Sequence, residues 1–380
     1  IINLPSVEHE ATYSPEWSIE IWETATECVC RPSRPNWGWV CDKSLPKASN
    51  RYNFPHCVPT TINLSWTAKA DAESPDDKTP LISNDYINKL LDAKIYFKLE
   101  NLQKTGSFKL RGATYKISKL SEEQKLNGLV AYSSGNHAQA VAYAALQNNI
   151  SAKIIMPNNA PKIKIENTRK YKAEVILYDP HKEIREEIGQ EIEKKENRIL
   201  IKPYDDYDII AGQGTAAYEI SKDLENQSIT PDIYLCCCGG GGLVAGTSTY
   251  LKYKYPNIKS YAVEPYGFDD TTISLSNKKI TANKLGFHSI CDAIITPQPG
   301  QLTFPINLKN LSGGIVVKDQ EVKNSIKILA EHLKIVTEPG GAVAATAALS
   351  KKLDLKNKIV VVMISGGNID LDIFKSLWKI

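Results

Sequence analysis

Thr105-Gly106-Ser107-Phe108-Lys109-Leu110-Arg111-Gly112-Ala113 sets one lysine between an apolar run ending Lys98-Leu99-Glu100 and a segment of helical spacing. In an open parallel sheet such a strand-to-helix junction faces the ligand crevice, where a lysine amine can meet a carbonyl cofactor; a solvated lysine at a helix start is the plainer reading. Ser133-Ser134-Gly135-Asn136-His137-Ala138-Gln139 lies between an apolar run and an Ala-rich segment. Backbone amides of a small-residue turn at a helix N-terminus suit a carboxylate, although Ser or Asn there can equally be a simple helix cap. Gly239-Gly240-Gly241-Gly242 follows the run Ile233 to Cys238. Four consecutive glycines are costly in backbone entropy, and amides free to point at a phosphate explain them better than a turn does. Neither G-x-x-x-x-G-K-[ST] nor G-x-G-x-x-G is present there, so a monophosphate fits better than a nucleoside triphosphate or a dinucleotide.

Two further groups stand at the ends of apolar runs. Ser365-Gly366-Gly367-Asn368 follows Ile359 to Ile364 and puts a hydroxyl where it can donate to a ring nitrogen, or forms only a turn. Glu264-Pro265-Tyr266-Gly267-Phe268-Asp269-Asp270 gathers carboxylates that can hold a hard cation, or a solvated acidic loop.

The elements that must carry these residues follow from periodicity. Short apolar runs (Lys94 to Leu99, Leu129 to Tyr132, Ala152 to Met156, Glu174 to Tyr178, Ile199 to Lys202, Ile233 to Cys238, Ser260 to Val263, Ile359 to Ile364) alternate with amphipathic segments such as Leu110, Ala113, Ile117 and Leu120. That alternation predicts an α/β fold with parallel sheets covered by helices. At 380 residues more than one core is expected.

Residues 1 to 77 differ in composition. They hold Trp17, Trp22, Trp37, Trp39 and Trp66 of the six tryptophans, with many prolines and little periodicity. Cys28, Cys30, Cys41, His56 and Cys57 are nominal zinc ligands, but without paired C-x₂-C knuckles the segment reads as an unpatterned extension.

The charges nearly balance, 46 Lys and Arg against 43 Asp and Glu, and are interspersed. This argues against a nucleic-acid or anionic-membrane partner and for a small molecule. The consecutive Cys236, Cys237 and Cys238 read as buried thiols of a reducing compartment, and no apolar stretch approaches a bilayer span, so a cytoplasmic protein is expected.

Taken in order from Thr79 to Asp370, the five motifs resemble the fold-type II pyridoxal-phosphate enzymes, specifically the serine/threonine dehydratase and serine racemase family. The resemblance implies a tryptophan synthase β-like architecture of two open parallel-sheet lobes. The larger lobe would span 78–127 and 206–380 and the smaller 128–205, with residues 1–77 as an atypical extension. It implies dehydration and deamination of a hydroxy amino acid such as L-threonine or L-serine to a 2-oxo acid and ammonia, in a homodimer or homotetramer. Lys109 would carry pyridoxal 5'-phosphate as a Schiff base, with Phe108 packed beside its ring and Asn136 on its phenolic oxygen. Gly239, Gly240, Gly241, Gly242 and Leu243 would cup the phosphate and Ser365 would partner the pyridine nitrogen. Ser134, Gly135 and His137 would grip the substrate carboxylate.

Ser134 also resembles the racemase serine that exchanges a proton on the opposite ring face, which keeps serine racemase as an alternative. Arg185 resembles a substrate-side arginine that would favour threo-3-hydroxyaspartate, or it pairs with Glu186 or Glu187 on an exposed helix. Glu264, Asp270 and the carbonyl of Phe268 match a Mg²⁺ or Ca²⁺ site. Residues 1–77 do not resemble the helix with which the family opens, so a cofactor-binding protein without turnover is the non-enzymatic alternative.

Overall fold

A computed structural model of the protein describes residues 78–378 apart from Ser134 and Pro161, together with the backbone of two short strands, β1 (Cys30–Pro32) and β2 (Trp39–Cys41). The latter pair antiparallel, Cys30 opposite Cys41. The side chains named above as nominal zinc ligands lie outside the described residues, as does Ser134.

From Lys78 onward the order is β3 (Leu81–Ser83), α1 (Asp85–Leu91), β4 (Lys94–Leu99), α2 (Lys109–Ser118), α3 (Glu122–Asn127), β5 (Leu129–Tyr132), α4 (Asn136–Gln147), β6 (Ala152–Pro157), α5 (Lys162–Lys170), β7 (Glu174–Tyr178), α6 (Arg185–Glu196) and β8 (Ile199–Leu200). There follow α7 (Tyr207–Glu225), β9 (Ile233–Cys237), α8 (Gly242–Lys254), β10 (Lys259–Pro265), α9 (Asp270–Asn277), α10 (Thr303–Asn310), β11 (Leu311–Val317), α11 (Asp319–Ile328), α12 (Pro339–Leu349), β12 (Ile359–Ile364) and α13 (Leu371–Ser376).

Runs such as Val360-Val361-Val362 are buried on both faces, as parallel strands under helices must be, and each such side chain contributes about 1.5–3 kcal/mol of apolar burial. They form a six-stranded sheet ordered β11-β10-β9-β12-β4-β3, parallel except for the short edge strand β3. A second, all-parallel sheet ordered β7-β6-β5-β8 draws every strand from residues 129–200. Among the described residues no helix is long and apolar enough to cross a membrane.

A buried ionic cluster fixes the start of α2. Lys98 donates to the carbonyl of Thr79 (2.6 Å) and to Glu219 Oε2 (2.5 Å). Arg111 donates to Glu100 Oε2 (2.7 Å) and Glu219 Oε1 (2.6 Å), and Thr79 Oγ1 to Glu100 Oε1 (2.5 Å). The guanidinium holds the Glu100 carboxyl below its usual range against the opposing cost of burial. Every charge has an opposite partner, the condition under which a buried ion set is tolerated, and the set joins β4, α2 and α7.

Candidate active site at the strand ends

Parallel sheets present ligands to the carboxyl ends of their strands. Three neighbouring strands do so here: β4 leads to Lys109, β9 to the four glycines and β12 to Ser365. The amide of Phe108 donates to the carbonyl of Ser365 (3.1 Å), which ties the lysine turn to the end of β12.

Lys109 is the first residue of α2 and is partly exposed. Its Nζ donates to the carbonyl of Pro203 (2.6 Å) and lies 5.2 Å from the Phe108 ring centroid. Desolvation of the amine pushes its pKa down to about 8. A lysine so placed has a substantial neutral, nucleophilic fraction near physiological pH.

The glycine carbonyls turn away from the site. Gly240 O accepts from Thr303 Oγ1 (2.6 Å) and Gly300 N (3.3 Å), and Gly241 O from Asn307 Nδ2 (3.3 Å). Gly241 caps α8 with φ +90°, a conformation that side-chain-bearing residues rarely adopt, and a Cβ there would lie 2.6 Å from Asn307 Nδ2. A Cβ on Gly240 would come within 2.4 Å of the Tyr204 ring. The first-turn amides of α8, from Gly242 through Val244, have no partner within the helix. A backbone with no side chains, its carbonyls tied behind and its amides at a helix start, fits a phosphate monoester.

From the second sheet, β5 leads to Gly135 and α4. Asn136 is held at both ends of its amide: Oδ1 accepts from Asn368 Nδ2 (2.9 Å) and Nδ2 donates to Glu338 Oε1 (2.5 Å). The second Nδ2 hydrogen remains for a ligand oxygen. His137 is buried and its ring meets the carbonyl of Ile201 (2.9 Å), while burial pushes its pKa down to about 3, so the ring is neutral. The group that His137 can offer a carboxylate is therefore its backbone amide, in the first turn of α4.

Ser365 is buried, and its Oγ accepts from Cys237 Sγ (3.0 Å). Arg185 opens α6, pairs with Glu186 (2.9 Å) and lies over the Tyr132 ring (5.5 Å). The helix pairing anticipated above is present, but the guanidinium is also half-buried against an aromatic face rather than freely solvated.

Glu264 turns onto the start of α9. Its oxygens accept from Thr271 N (2.9 Å), Thr272 N (2.7 Å) and Thr272 Oγ1 (2.7 Å). Asp270 Oδ1 accepts from Asn283 Nδ2 (2.6 Å), while buried Oδ2 has no partner. Burial raises both carboxyls, to about 8 for Glu264 and about 7 for Asp270. Among the described residues no three His, Cys, Asp or Glu side chains form a metal cage, so a cation here would lean on backbone carbonyls such as that of Phe268.

Two residues of the site escaped the sequence reading. Glu338, before Pro339 at the start of α12, is buried beside Asn136, and burial pushes its carboxyl up to about 7. Lys164 of α5 reaches Asp292 (3.0 Å) and lies 3.8 Å from Glu338 Oε2, joining the two sheets across the cleft. Glu338-Pro339-Gly340-Gly341 carried one usable signal, a proline at the first helical position followed by small residues.

A half-buried lysine, a bare phosphate cradle and a hydroxyl on adjacent strand ends define the class of site that holds an aldehyde-bearing phosphorylated cofactor. The comparisons agree: residues 73–366 match the family model described as "Pyridoxal-phosphate dependent enzyme". The chain belongs to this family. It is 38% identical over 301 residues to an L-threo-3-hydroxyaspartate ammonia-lyase from Saccharomyces cerevisiae, covering 79% of this chain and 91% of that one. It is also 38% identical over 316 residues to a catabolic L-threonine dehydratase from Escherichia coli, covering 83% and 94%. Among solved structures, serine racemase from Dictyostelium discoideum superposes with a TM-score of 0.72 at 39% identity, covering 77% of this chain and 93% of that one.

Proposed function

We propose that this protein eliminates water from a small hydroxy amino acid, L-threonine or L-serine, to give a 2-oxo acid and ammonia. The observation that carries the reading is the Lys109 amine, desolvated toward neutrality at the end of a strand in the same sheet as the strand that leads to the bare glycine cradle. Lys109 would hold pyridoxal phosphate, with Phe108 beside its ring. Asn136 would lie on its phenolic oxygen, Gly239–Gly242 and the amide of Leu243 around its phosphate, and Ser365 at its pyridine nitrogen. The bound cofactor supplies an electron sink for the substrate α-carbon.

The remaining work falls to side chains and amides of this chain. The backbone amides at Gly135 and in the first turn of α4 orient the substrate carboxylate, and neutral His137 adds no competing charge. Lys109 Nζ takes the α-proton as general base, for which a pKa near 8 suits it. The smaller lobe, 128–205, would close against the larger, 78–127 and 206–380, and exclude water. Glu264, Asp270 and the Phe268 carbonyl would take Mg²⁺ or Ca²⁺, neutralising carboxylates that otherwise resist ionisation. The buried free thiols Cys236, Cys237, Cys238 and Cys291 support a cytoplasmic setting.

A second substrate reading rests on Arg185, whose guanidinium is positioned by Tyr132 and Glu186 and can clamp a second carboxylate, as in 3-hydroxyaspartate. Serine racemisation, through proton exchange at Ser134 on the opposite face, is the side activity to measure beside it.

The test is an absorbance spectrum of the purified protein before and after L-threonine, L-serine or L-threo-3-hydroxyaspartate, with 2-oxo acid followed in parallel. A visible-edge band lost on Lys109→Ala, together with oxo-acid formation, is expected. A band with no oxo acid but a change in chirality would replace dehydration by racemisation, and no band in cofactor-supplemented protein would overturn the assignment.

A further inference from the structure

The three consecutive cysteines before the glycine loop do not share one environment. Each thiol meets a different partner, although the Cys236 and Cys237 side chains also interact with one another. Cys236 Sγ turns to the backbone carbonyl of Cys237 (3.4 Å), and Cys238 Sγ lies against Thr271 Oγ1 (3.3 Å). Cys237 Sγ instead meets Ser365 Oγ at 3.0 Å, both side chains being more than nine-tenths buried.

A serine hydroxyl has one hydrogen to give and two lone pairs. With the thiol donating into one lone pair, the Ser365 hydrogen has no acceptor among the described residues other than the sulfur that already donates to it. The backbone of Ser365 is held separately, its N donating to Gly341 O (3.3 Å) and its O accepting from Phe108 N (3.1 Å). The hydroxyl is thus a buried donor with an unused hydrogen at the end of β12.

We propose that Cys237 is a positioning residue for Ser365: the thiol donates to Ser365 Oγ and thereby turns the hydroxyl hydrogen toward the cofactor's ring nitrogen, keeping that nitrogen unprotonated. This rests on the reading of Ser365 as the ring-nitrogen partner. Without the thiol hydrogen, Oγ is free to rotate and to offer a lone pair to a protonated ring. Protonation of that nitrogen sets how far negative charge can be drawn from the substrate, so a residue outside the substrate's reach biases elimination against racemisation.

The measurement is the ¹⁵N chemical shift of ring-labelled pyridoxal phosphate bound to the full-length protein, with the cofactor Kd taken from titration of the apoprotein. Wild type, Cys237→Ala, Cys237→Ser, Cys238→Ala and Ser365→Ala are compared. Cys237→Ala is expected to move the shift toward the protonated value and to weaken the cofactor Kd by about fivefold to tenfold, the scale of one lost hydrogen bond. Cys237→Ser, which retains a donor, should restore both, and Cys238→Ala, whose thiol meets Thr271 instead, should change neither. Should Cys237→Ala not fold, Cys237→Val carries the same comparison with a side chain of similar bulk.

An unmoved shift in Cys237→Ala alongside a moved one in Ser365→Ala would overturn the role of Cys237 and leave that of Ser365 standing. If Ser365→Ala also leaves the shift unmoved, the reading of Ser365 itself fails and this inference fails with it.

Discussion

Cofactor attachment should titrate with the Lys109 amine at a pH that no solvated lysine would show. Lys109 is shifted from 10.5 to about 8 by desolvation. At pH 7 about a tenth of such amines are neutral, against roughly one in 3,000 for an ordinary lysine, a ratio of about 300. Only the neutral amine attacks an aldehyde, so the rate at which apoprotein gains the visible band should rise about tenfold per pH unit up to pH 8 and then level off. Stopped-flow mixing of apoprotein with pyridoxal phosphate from pH 6 to 9.5 measures this. Dividing each rate by that of a free lysine derivative and multiplying by that derivative's neutral fraction removes the cofactor's own ionisations, and Phe108→Ala, which opens the wall beside Nζ to water, should move the plateau to higher pH. A rate that keeps rising from pH 8 to 9.5 in the native protein, parallel to the free amine, would refute the desolvation argument.

Three other outcomes follow from the same geometry. The raised carboxyl of Glu338 contributes stability that is fully present below about 4.5 and lost as the pH climbs through about 7. The apoprotein should therefore lose on the order of 3 kcal/mol between those limits, and urea melts of Glu338→Gln, which cannot ionise, should show a flatter decline. Gly241→Ala forces a left-handed alanine against Asn307, costing about 1–2 kcal/mol from the conformation alone, and should weaken cofactor binding tenfold or more by fluorescence titration. Arg185→Ala should raise KM for a dicarboxylic hydroxy amino acid roughly 10- to 100-fold and leave that for L-serine unchanged; equal effects on both would remove Arg185 from substrate choice.

Strands were legible where β-branched and aromatic residues crowd without interruption. The expected limits of β4, β5, β7 and β12 coincide with those in the structure, and α2 buries Leu110, Ala113 and Ile117 as their spacing required. β11 went unread because Ser312-Gly313-Gly314 interrupts its apolar pattern, and the structure has Gly313 at φ +157° beside a register shift in β10. β3 is three residues long, too short for any period to register. In the site, residues at strand ends announce themselves by position, whereas Lys164 and Glu338 act through contacts between segments more than a hundred residues apart. No local pattern encodes such contacts, and a buried carboxylate before a proline looks in sequence like any acidic helix start.

The pairing of β4 with β12 sets Lys94 beside Ile359 and Leu99 beside Ile364. On the ribosome, the chain that carries Lys109 must therefore wait for some 250 further residues before the strand that completes its pocket has been made. The sheet β7-β6-β5-β8 is finished at Leu200 and can form well before that. Until β12 is made, β4 and β9, both apolar and unpaired on the β12 side, are open to mispairing with other strands.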